Sequence, residues 1–190
     1  MTKFYICRHG ETENNRAKRH QGWIDTPLIP AGIINARTVA SKLKGKHIDK
    51  IVSSDLGRAF ISAYIIARGI GYDDEIETSS GLREINYGKL ANMPYEFPGI
   101  EPGTKPSYVF PEGESLEQLQ ARVLKETQAI SDKYPEDVIL IVGHDGTINS
   151  IRASFTGANI ADEDKVSNPH DFVGAFTYDN GAIQTFTELN

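Results

Sequence analysis

Short apolar runs alternate along the chain with stretches of helical periodicity. Residues 3–7 read KFYIC and residues 138–142 read VILIV, which is apolar without interruption. An apolar run without alternation is typical of a strand buried on both faces, as in a parallel sheet covered by helices. We therefore predict central strands at both positions. Further short strands are predicted at 50–54 and near 76–79.

Helical spacing of apolar residues predicts at least three helices between these strands. The first covers 30–44, with a proline in its first turn. A second helix is expected to begin at about Asp55 and to end at Gly69 and Gly71, because glycine disfavours a continuing helix. A third begins at Ser115, whose hydroxyl is suited to an N-cap.

The alternation of strands and helices predicts an α/β protein of three layers, in which helices flank a mainly parallel central sheet. Near the C-terminus, Asn180-Gly181 stands between two alternating segments, which is typical of a β-hairpin. No composition break suggests a domain boundary, so we expect one domain over 1–190. The proline-rich segment 88–114 lacks periodicity and is interpreted as a lid-like insertion with four aromatic residues.

The composition argues against some binding partners and indicates a cellular compartment. The 190 residues carry a net charge of −6 and contain no basic run, which argues against binding to nucleic acid or to a membrane surface. The single cysteine excludes an internal disulfide and is compatible with a reducing cytoplasm. No apolar stretch approaches the length of a membrane span or a signal peptide. The sequence is compatible with a homodimer.

Polar clusters follow the predicted strands. Arg8 and His9 follow the first strand, Arg58 comes soon after the second, Glu84 follows the short strand near 76–79, and His144 follows VILIV. Ligands of open α/β sheets bind outside the carboxyl ends of the strands. We therefore expect these five side chains to share one site.

These residue types suit phosphoryl transfer. Arginine presents a planar fork that matches phosphate oxygens. A neutral histidine can attack phosphorus, and a carboxylic acid can protonate the leaving oxygen. Gly10 and Gly146 would allow the backbone to approach a ligand closely.

Six sequence blocks carry a resemblance to a known family. They are CRHGETENN (7–15), QGWIDTPLIPAG (21–32), SSDLGRA (53–59), LREINYG (82–88), PEGES (111–115) and VGHDGTI (142–148). In this order, over nearly the whole chain, they resemble the motifs of the histidine phosphatase superfamily. The resemblance implies the phosphoglycerate-mutase-like fold and catalysis without a metal or another cofactor.

The resemblance also implies roles for individual residues. His9 would be the nucleophile that becomes phosphohistidine, and the phosphoryl oxygens would be held by Arg8, Asn15, Arg58 and His144. By the same resemblance, further contacts with the substrate are expected from Gln21, Gly22, Arg83 and Asp145.

Two carboxylates are candidates for the proton donor. Glu84 stands in its own motif just before the predicted lid, where shielding would favour its protonated form. Asp145 follows His144, and in another branch of the superfamily an aspartate at this position donates the proton. Because Asp145 is expected to begin a helix, whose dipole favours a charged carboxylate, we favour Glu84.

The reaction class leaves alternatives. We favour a phosphomonoester hydrolase acting on a small phosphorylated metabolite, because the lid is short, aromatic and net acidic. A phosphoglycerate-mutase-type phosphotransferase and a non-catalytic phospholigand-binding module are the alternatives. A cysteine phosphatase is excluded, since Cys7 is followed six positions later by Glu13 and not by arginine. An aspartate-nucleophile phosphatase is excluded too, because Gly143 occupies the nucleophile position.

Overall fold

The computed structural model describes residues 1–96, 105–163 and 167–189. The strands are β1 (Thr2–Arg8), β2 (Lys50–Ser54), β3 (Ile76–Ser79), β4 (Val138–Gly143), β5 (Val173–Asp179) and β6 (Ala182–Glu188). The helices are α1 (Glu13–Arg16), α2 (Pro30–Leu43), α3 (Gly57–Ile70), α4 (Leu116–Lys133), α5 (Asp145–Thr156) and α6 (Ile160–Glu163). Two short 3₁₀ turns cover Ser80–Leu82 and Gly88–Leu90.

The six strands of the described residues form one mixed sheet in the order β3-β2-β4-β1-β5-β6. β3, β2, β4 and β1 are parallel, with Phe4 paired with Ile139 where β1 and β4 meet. β5 runs antiparallel to β1 and forms a hairpin with β6 around Asn180-Gly181. The predicted parallel core and the C-terminal hairpin are both confirmed.

Helices cover both faces of the sheet, as the apolar pattern of its central strands requires. Val39 and Leu43 of α2 and Ile66 of α3 pack with the side chains of one face. Leu119 of α4 and Ile148 of α5 pack with those of the other face. The three-layer α/β prediction is therefore confirmed.

The structure tests the predicted start of α4 and the predicted end of α3. Ser115 caps α4 in a capping box with Gln118, as its hydroxyl suggested. The prediction that Gly69 ends α3 is wrong. Gly69 lies within the helix, where a Cβ atom would come 2.6 Å from the Cβ of Ala40 on α2, so this glycine serves close packing of the two helices. Gly71, with a φ of +77°, is the C-cap.

The segment interpreted as a lid is partly described. Phe110 is buried in the core and Tyr95 lines a cavity, whereas 97–104, with Phe97 and Glu101, lie outside the described residues. None of the described helices is long and apolar enough to cross a membrane.

Candidate active site

A cavity of about 250 Å³ opens where the carboxyl ends of the parallel strands meet. Eight of the ten predicted site residues line it: Arg8, His9, Asn15, Gln21, Gly22, Arg58, Glu84 and Asp145. His144 lies beside the cavity and Arg83 away from it. The sequence therefore identified most of the side chains that the fold brings together here.

The His9 imidazole is buried, and its two nitrogens have different partners. Nδ1 lies 2.8 Å from the carbonyl oxygen of Gly10, and Nε2 accepts a hydrogen bond from Nε of Arg58 at 3.3 Å. These contacts assign the proton to Nδ1 and leave a lone pair on Nε2. Burial lowers the pKa of His9 well below its usual value, and the cation of Arg58 lowers it further. The ring is therefore a neutral nucleophile near pH 7.

Arg58 is held in place by protein oxygens. Its Nη1 donates to the carbonyl oxygen of Ile24 at 2.9 Å and to Oδ1 of Asp25 at 3.1 Å, and Nη2 donates to the carbonyl oxygen of Gly22 at 2.7 Å. Burial lowers the pKa of Arg58, an effect that nearby Glu84 and Asp25 oppose. Since an arginine keeps its charge in proteins, the cavity contains a fixed cation next to His9.

Asp25, which was not predicted as a site residue, also contacts the start of helix α3. Leu56, the N-cap residue of α3, makes no side-chain cap. Asp25 supplies one from a distant loop, because its carboxylate accepts from the backbone nitrogens of Gly57 and Arg58. A single carboxylate thus caps the helix and orients Arg58 in its first turn.

Arg8 and Asp145 form a second charged pair at the cavity. Nη1 of Arg8 donates to the carbonyl oxygen of Asn168 and lies 3.7 Å from Oδ2 of Asp145. Oδ1 of Asp145 accepts from the backbone nitrogen of Asn168 at 2.9 Å and from its Nδ2 at 2.7 Å. Nε of Arg8 is buried without a partner among the described residues. Asp145 therefore orients Arg8 and the 167–168 loop.

The carboxyl of Glu84 faces the cavity and is poorly solvated. Oε1 accepts from the backbone nitrogen of Ile85 at 2.9 Å, and Oε2 from that of Gly146 at 3.4 Å. Burial raises the pKa of Glu84. The Ile85 N–H opposes this shift, and the charge of Asp145 adds to it. Desolvation thus favours the protonated form that a general acid needs.

The backbone of Glu84 is fixed as well. Its carbonyl oxygen accepts from the indole Nε1 of Trp23 at 2.8 Å and from Nη2 of Arg122 at 3.2 Å. Arg122 in turn pairs with Glu114 of the PEGES block. Residues of the QGWIDTPLIPAG and PEGES blocks, which are distant in sequence, thus help to fix the position of Glu84.

His144 lies fully buried, with its ring centroid 5.1 Å from that of His9. Nε2 is 2.8 Å from the hydroxyl of Ser54, and Nδ1 has no partner among the described residues. Burial lowers the pKa of His144 well below its usual value, and the cations of Arg58 and Arg8 add to the effect. Ser54, within the SSDLGRA block, was not singled out in the sequence.

Arg83 is the one predicted site residue that the fold keeps away from the cavity. Its guanidinium forms a two-bond ion pair with Asp55, at 2.7 and 2.6 Å, and lies over the ring of Trp23 at 4.8 Å. Asp55 lies just after β2, and Trp23 lies two residues before Asp25. Both therefore occupy the guanidinium of Arg83 that we expected to bind the substrate. The substrate-binding prediction for Arg83 is not supported by this geometry.

Two glycines leave space for protein atoms. A Cβ at Gly10 would come 2.1 Å from the carbonyl oxygen of Gly32, and one at Gly146 would come 2.3 Å from Oε1 of Glu84. Gly10 therefore allows a loop crossing. Gly146 makes room for the carboxyl and also lines the cavity, so its close approach to a ligand stays a prediction.

Asn15 of α1 and Gln21 of the loop that follows it reach the cavity. The hydroxyl of Thr12 lies 2.8 Å from Oδ1 of Asn15 and 2.9 Å from Oε1 of Gln21. Gln21 also donates through Nε2 to Thr26. Nδ2 of Asn15 makes no hydrogen bond to another described residue and is free to donate to an anion.

Further residues at the site were not among the predicted site residues, although Tyr87 belongs to the LREINYG block. His20 and Tyr87 line the cavity together with Tyr95. His170 places Nδ1 2.9 Å from the carbonyl oxygen of His9, with its ring 5.6 Å from the His9 ring. Isolated histidines and tyrosines are more often structural, so only the fold could assign these residues to the site.

The described acidic residues of the segment 88–114, which are Glu96, Glu112 and Glu114, do not line the cavity, and Glu101 lies outside the described residues. Glu112 pairs with Lys89 at the surface, and Glu114 pairs with Arg122. These carboxylates therefore do not contact the leaving group directly, and the effect of the lid's net acidic charge stays a prediction. Among the described residues, no cluster of three histidine, cysteine, aspartate or glutamate side chains is arranged to hold a metal ion.

Comparison with known proteins gives a consistent result. The family model described as the histidine phosphatase superfamily (branch 1) matches residues 4–188. A curated relative, the probable phosphoglycerate mutase GpmB of Yersinia pestis, is 34% identical over 166 residues, which cover 83% of this chain and 76% of that protein.

Solved structures share the fold. YhfR of Bacillus stearothermophilus has a TM-score of 0.86 at 27% identity, with 97% of this chain and 95% of that one covered. A phosphoserine phosphatase variant from Entamoeba histolytica, in complex with phosphoserine, has a TM-score of 0.81 at 26% identity, with 98% and 96% covered.

Proposed function

Because this chain belongs to branch 1 of the histidine phosphatase superfamily, we propose that it hydrolyses small phosphomonoesters through a phosphohistidine intermediate. The observation that carries the proposal is a neutral His9, with its Nε2 lone pair next to Arg58, in a cavity that also contains a Glu84 of raised pKa. One cavity thus provides a nucleophile, a cation and an acid.

In the first step, Nε2 of His9 attacks phosphorus and the bond from phosphorus to the ester oxygen breaks. Glu84 gives its proton to that oxygen, so the alcohol leaves uncharged. Phosphate remains on Nε2, while Nδ1 keeps its proton at the carbonyl of Gly10. The backbone contact thereby holds the imidazole in the nucleophilic tautomer.

In the second step, water attacks the phosphohistidine. Glu84, now a carboxylate, takes a proton from the water, and the bond from phosphorus to Nε2 breaks. Inorganic phosphate and the starting enzyme result. Each step leaves Glu84 in the protonation state that the other step needs.

The phosphoryl oxygens would be held by cations and amide donors around His9. Arg58 and Arg8 supply positive charge, and Asn15 supplies an unused Nδ2 donor. His144 lies beside His9 with an Nδ1 that has no partner among the described residues, and we assign it to the same oxygens. This stabilisation by fixed charges requires no metal, and metal independence is part of the proposal.

A phosphotransferase of the mutase type is the second candidate, and it is favoured by the name of the 34% identical relative. Both candidates share the first step and differ in what accepts the phosphoryl group. A module that only binds phospholigands is disfavoured, since the cavity retains both His9 and Glu84.

The test follows phosphate from substrate to product. Wild-type protein quenched during turnover of a ³²P-labelled ester should carry acid-labile, base-stable phosphate on His9, and His9→Ala should carry none. Release of inorganic phosphate identifies a hydrolase, whereas transfer to added 3-phosphoglycerate without release identifies a mutase. Label on another residue would refute the mechanism.

A further inference from the structure

We propose that His20 makes the leaving-group side of the cavity selective for uncharged, hydroxyl-bearing alcohols, so that the substrates are polyol or sugar phosphates without a carboxylate. The proposal rests on the proposed phosphomonoesterase activity. It adds the substrate class and a residue that determines it. We call the surface formed by His20, Gln21, Tyr87 and Tyr95 the leaving-group wall.

The centre of the wall is an imidazole between two phenol rings. His20 is 7% exposed, and its ring centroid lies 4.5 Å from that of Tyr87 and 4.9 Å from that of Tyr95. Nδ1 of His20 has no hydrogen-bond partner among the described residues. Such rings offer flat apolar faces beside polar atoms, which suits a carbon skeleton that carries hydroxyl groups.

Backbone hydrogen bonds hold the two segments of the wall together. The amide of His20 donates to the carbonyl oxygen of Met93 at 2.9 Å, and the amide of Asn92 donates to that of His20 at 2.6 Å. The amide of Tyr95 donates to the carbonyl oxygen of Lys18 at 3.0 Å. The backbone that carries the imidazole is therefore held in place before a substrate arrives.

The wall carries no positive charge. Burial lowers the pKa of His20, against a smaller opposing effect of the Tyr95 backbone, so the ring is neutral near pH 7. Gln21 and the two tyrosines contain no cationic group. Arg19, the neighbouring cation, donates from Nη1 to the carbonyl oxygen of Asn92 and does not line the cavity.

The charges that do line the cavity disfavour an anionic leaving group. Among the described residues, the lining cations are Arg8 and Arg58, which contact Asp145 and Asp25. The carboxyls of Glu84 and Asp145 line the same space. A substrate carboxylate on the wall would lose water without gaining a cation from the described residues, and the carboxylate of Asp145 lines the same cavity.

A matched pair of substrates isolates this property. Glycerol 3-phosphate and 3-phosphoglycerate differ only in that a hydroxymethyl group replaces a carboxylate. Titration calorimetry on the His9→Ala variant measures binding of each without turnover. We expect glycerol 3-phosphate to bind at least tenfold more tightly. Equal binding, or a preference for 3-phosphoglycerate, would overturn the proposal.

His20→Arg, in the same background, places a cation on the wall and should reduce this preference at least tenfold. His47→Arg is the matched control, because His47 is an exposed residue that does not line the cavity, and it should leave the preference unchanged. If His20→Arg fails to fold, Tyr95→Arg adds the charge at a side chain that is 43% exposed. If His20→Arg or Tyr95→Arg folds and still prefers glycerol 3-phosphate to the same degree, the proposed role of the wall is contradicted.

Turnover by the wild type separates the two proposals. If p-nitrophenyl phosphate is hydrolysed but the binding preference is absent, only the substrate class is wrong. If the preference is present but no ester is hydrolysed, the wall is correct and the hydrolase proposal fails.

Discussion

The carboxyl of Glu84 lies against the backbone of Gly146, whose amide nitrogen is 3.4 Å from Oε2. A Cβ at position 146 would come 2.3 Å from Oε1 of Glu84 and 2.8 Å from Cδ2 of Leu119. Oε1 of Glu84 is the nearer of the two atoms and lies at the end of a flexible side chain, so Gly146→Ala should displace it. We expect kcat/KM to fall at least tenfold more for an alkyl phosphate than for p-nitrophenyl phosphate, whose leaving group needs little protonation.

Gly45→Ala is the control for this variant. A Cβ at Gly45 meets no atom within 4 Å, although the φ of +77° strains any side chain there. Gly45→Ala should therefore lower stability by about 1 kcal/mol and leave the ratio of the two substrates unchanged. If Gly146→Ala and Gly45→Ala show the same ratio of kcat/KM for the two substrates, Gly146 does not position the Glu84 carboxyl.

The choice of proton donor gives a second prediction. Glu84→Gln removes the proton from a carboxyl whose pKa burial raises, and Asp145→Asn changes a carboxylate that orients Arg8. Glu84→Gln should slow alkyl phosphates by about 10²–10⁴-fold and p-nitrophenyl phosphate much less. Asp145→Asn should slow both to a similar degree. Steady-state kinetics on a series of leaving groups measures this, and the reverse pattern would make Asp145 the acid.

Asp25 links helix α3 to the cavity and gives a third prediction. Asp25→Ala removes the cap at Gly57 and Arg58 and the partner of the Arg58 guanidinium. Loss of an N-cap costs about 1 kcal/mol of stability. Because Arg58 loses its orientation, inorganic phosphate should also inhibit at least fivefold more weakly. Urea unfolding and product inhibition measure the two effects.

Asp73→Ala is the matched control for Asp25→Ala. Asp73 pairs with Arg68 near the other end of α3, and both side chains are largely exposed. Inhibition by phosphate should remain at the wild-type value in this variant. If Asp25→Ala lowers stability without weakening inhibition, Asp25 acts only as a helix cap.

Metal independence gives a fourth prediction. The cations of Arg8 and Arg58 already supply positive charge beside His9. EDTA should therefore change kcat/KM by less than twofold. A large loss that magnesium restores would contradict the proposed mechanism.

The apolar pattern predicted the fold well because it reflects burial. VILIV is buried on both faces of β4, and its neighbour β1 is nearly so, as uninterrupted runs require. Gly69 was misread because its role depends on Ala40 of a different helix, a contact that no local rule contains. Local chemistry thus predicts elements better than it predicts contacts between them.

At the site, too, the sequence identified candidate residues better than it identified their contacts. His9, Arg58 and Glu84 stand in recognisable blocks and do meet at the cavity. Arg83 stands in a block too, yet its guanidinium pairs with Asp55. His20 has no sequence context that distinguishes it from a structural histidine. Which polar group faces the cavity depends on the partners that tertiary structure supplies.

The last prediction concerns acid stability and His170. Burial lowers the pKa of His170 to about 4, and the cation of Arg8 contributes, while the His9 carbonyl, Asp145 and Asp171 oppose the shift. The unfolded chain binds this proton near pH 6.5, so between pH 6.5 and 4 it holds more protons than the folded protein. The free energy of unfolding should therefore fall as the pH drops through this window, by up to about 1.4 kcal/mol per pH unit for this group.

The variant His170→Asn tests this directly, since an asparagine amide retains a donor near the position of Nδ1 and does not titrate. Urea unfolding at several values between pH 6.5 and 4 should show a shallower loss of stability than in the wild type. Phe172→Leu is the control, because this buried neighbour carries no proton and its substitution should lower stability equally across the window. A wild-type slope in His170→Asn would mean that His170 is not the group whose protonation destabilises the folded protein.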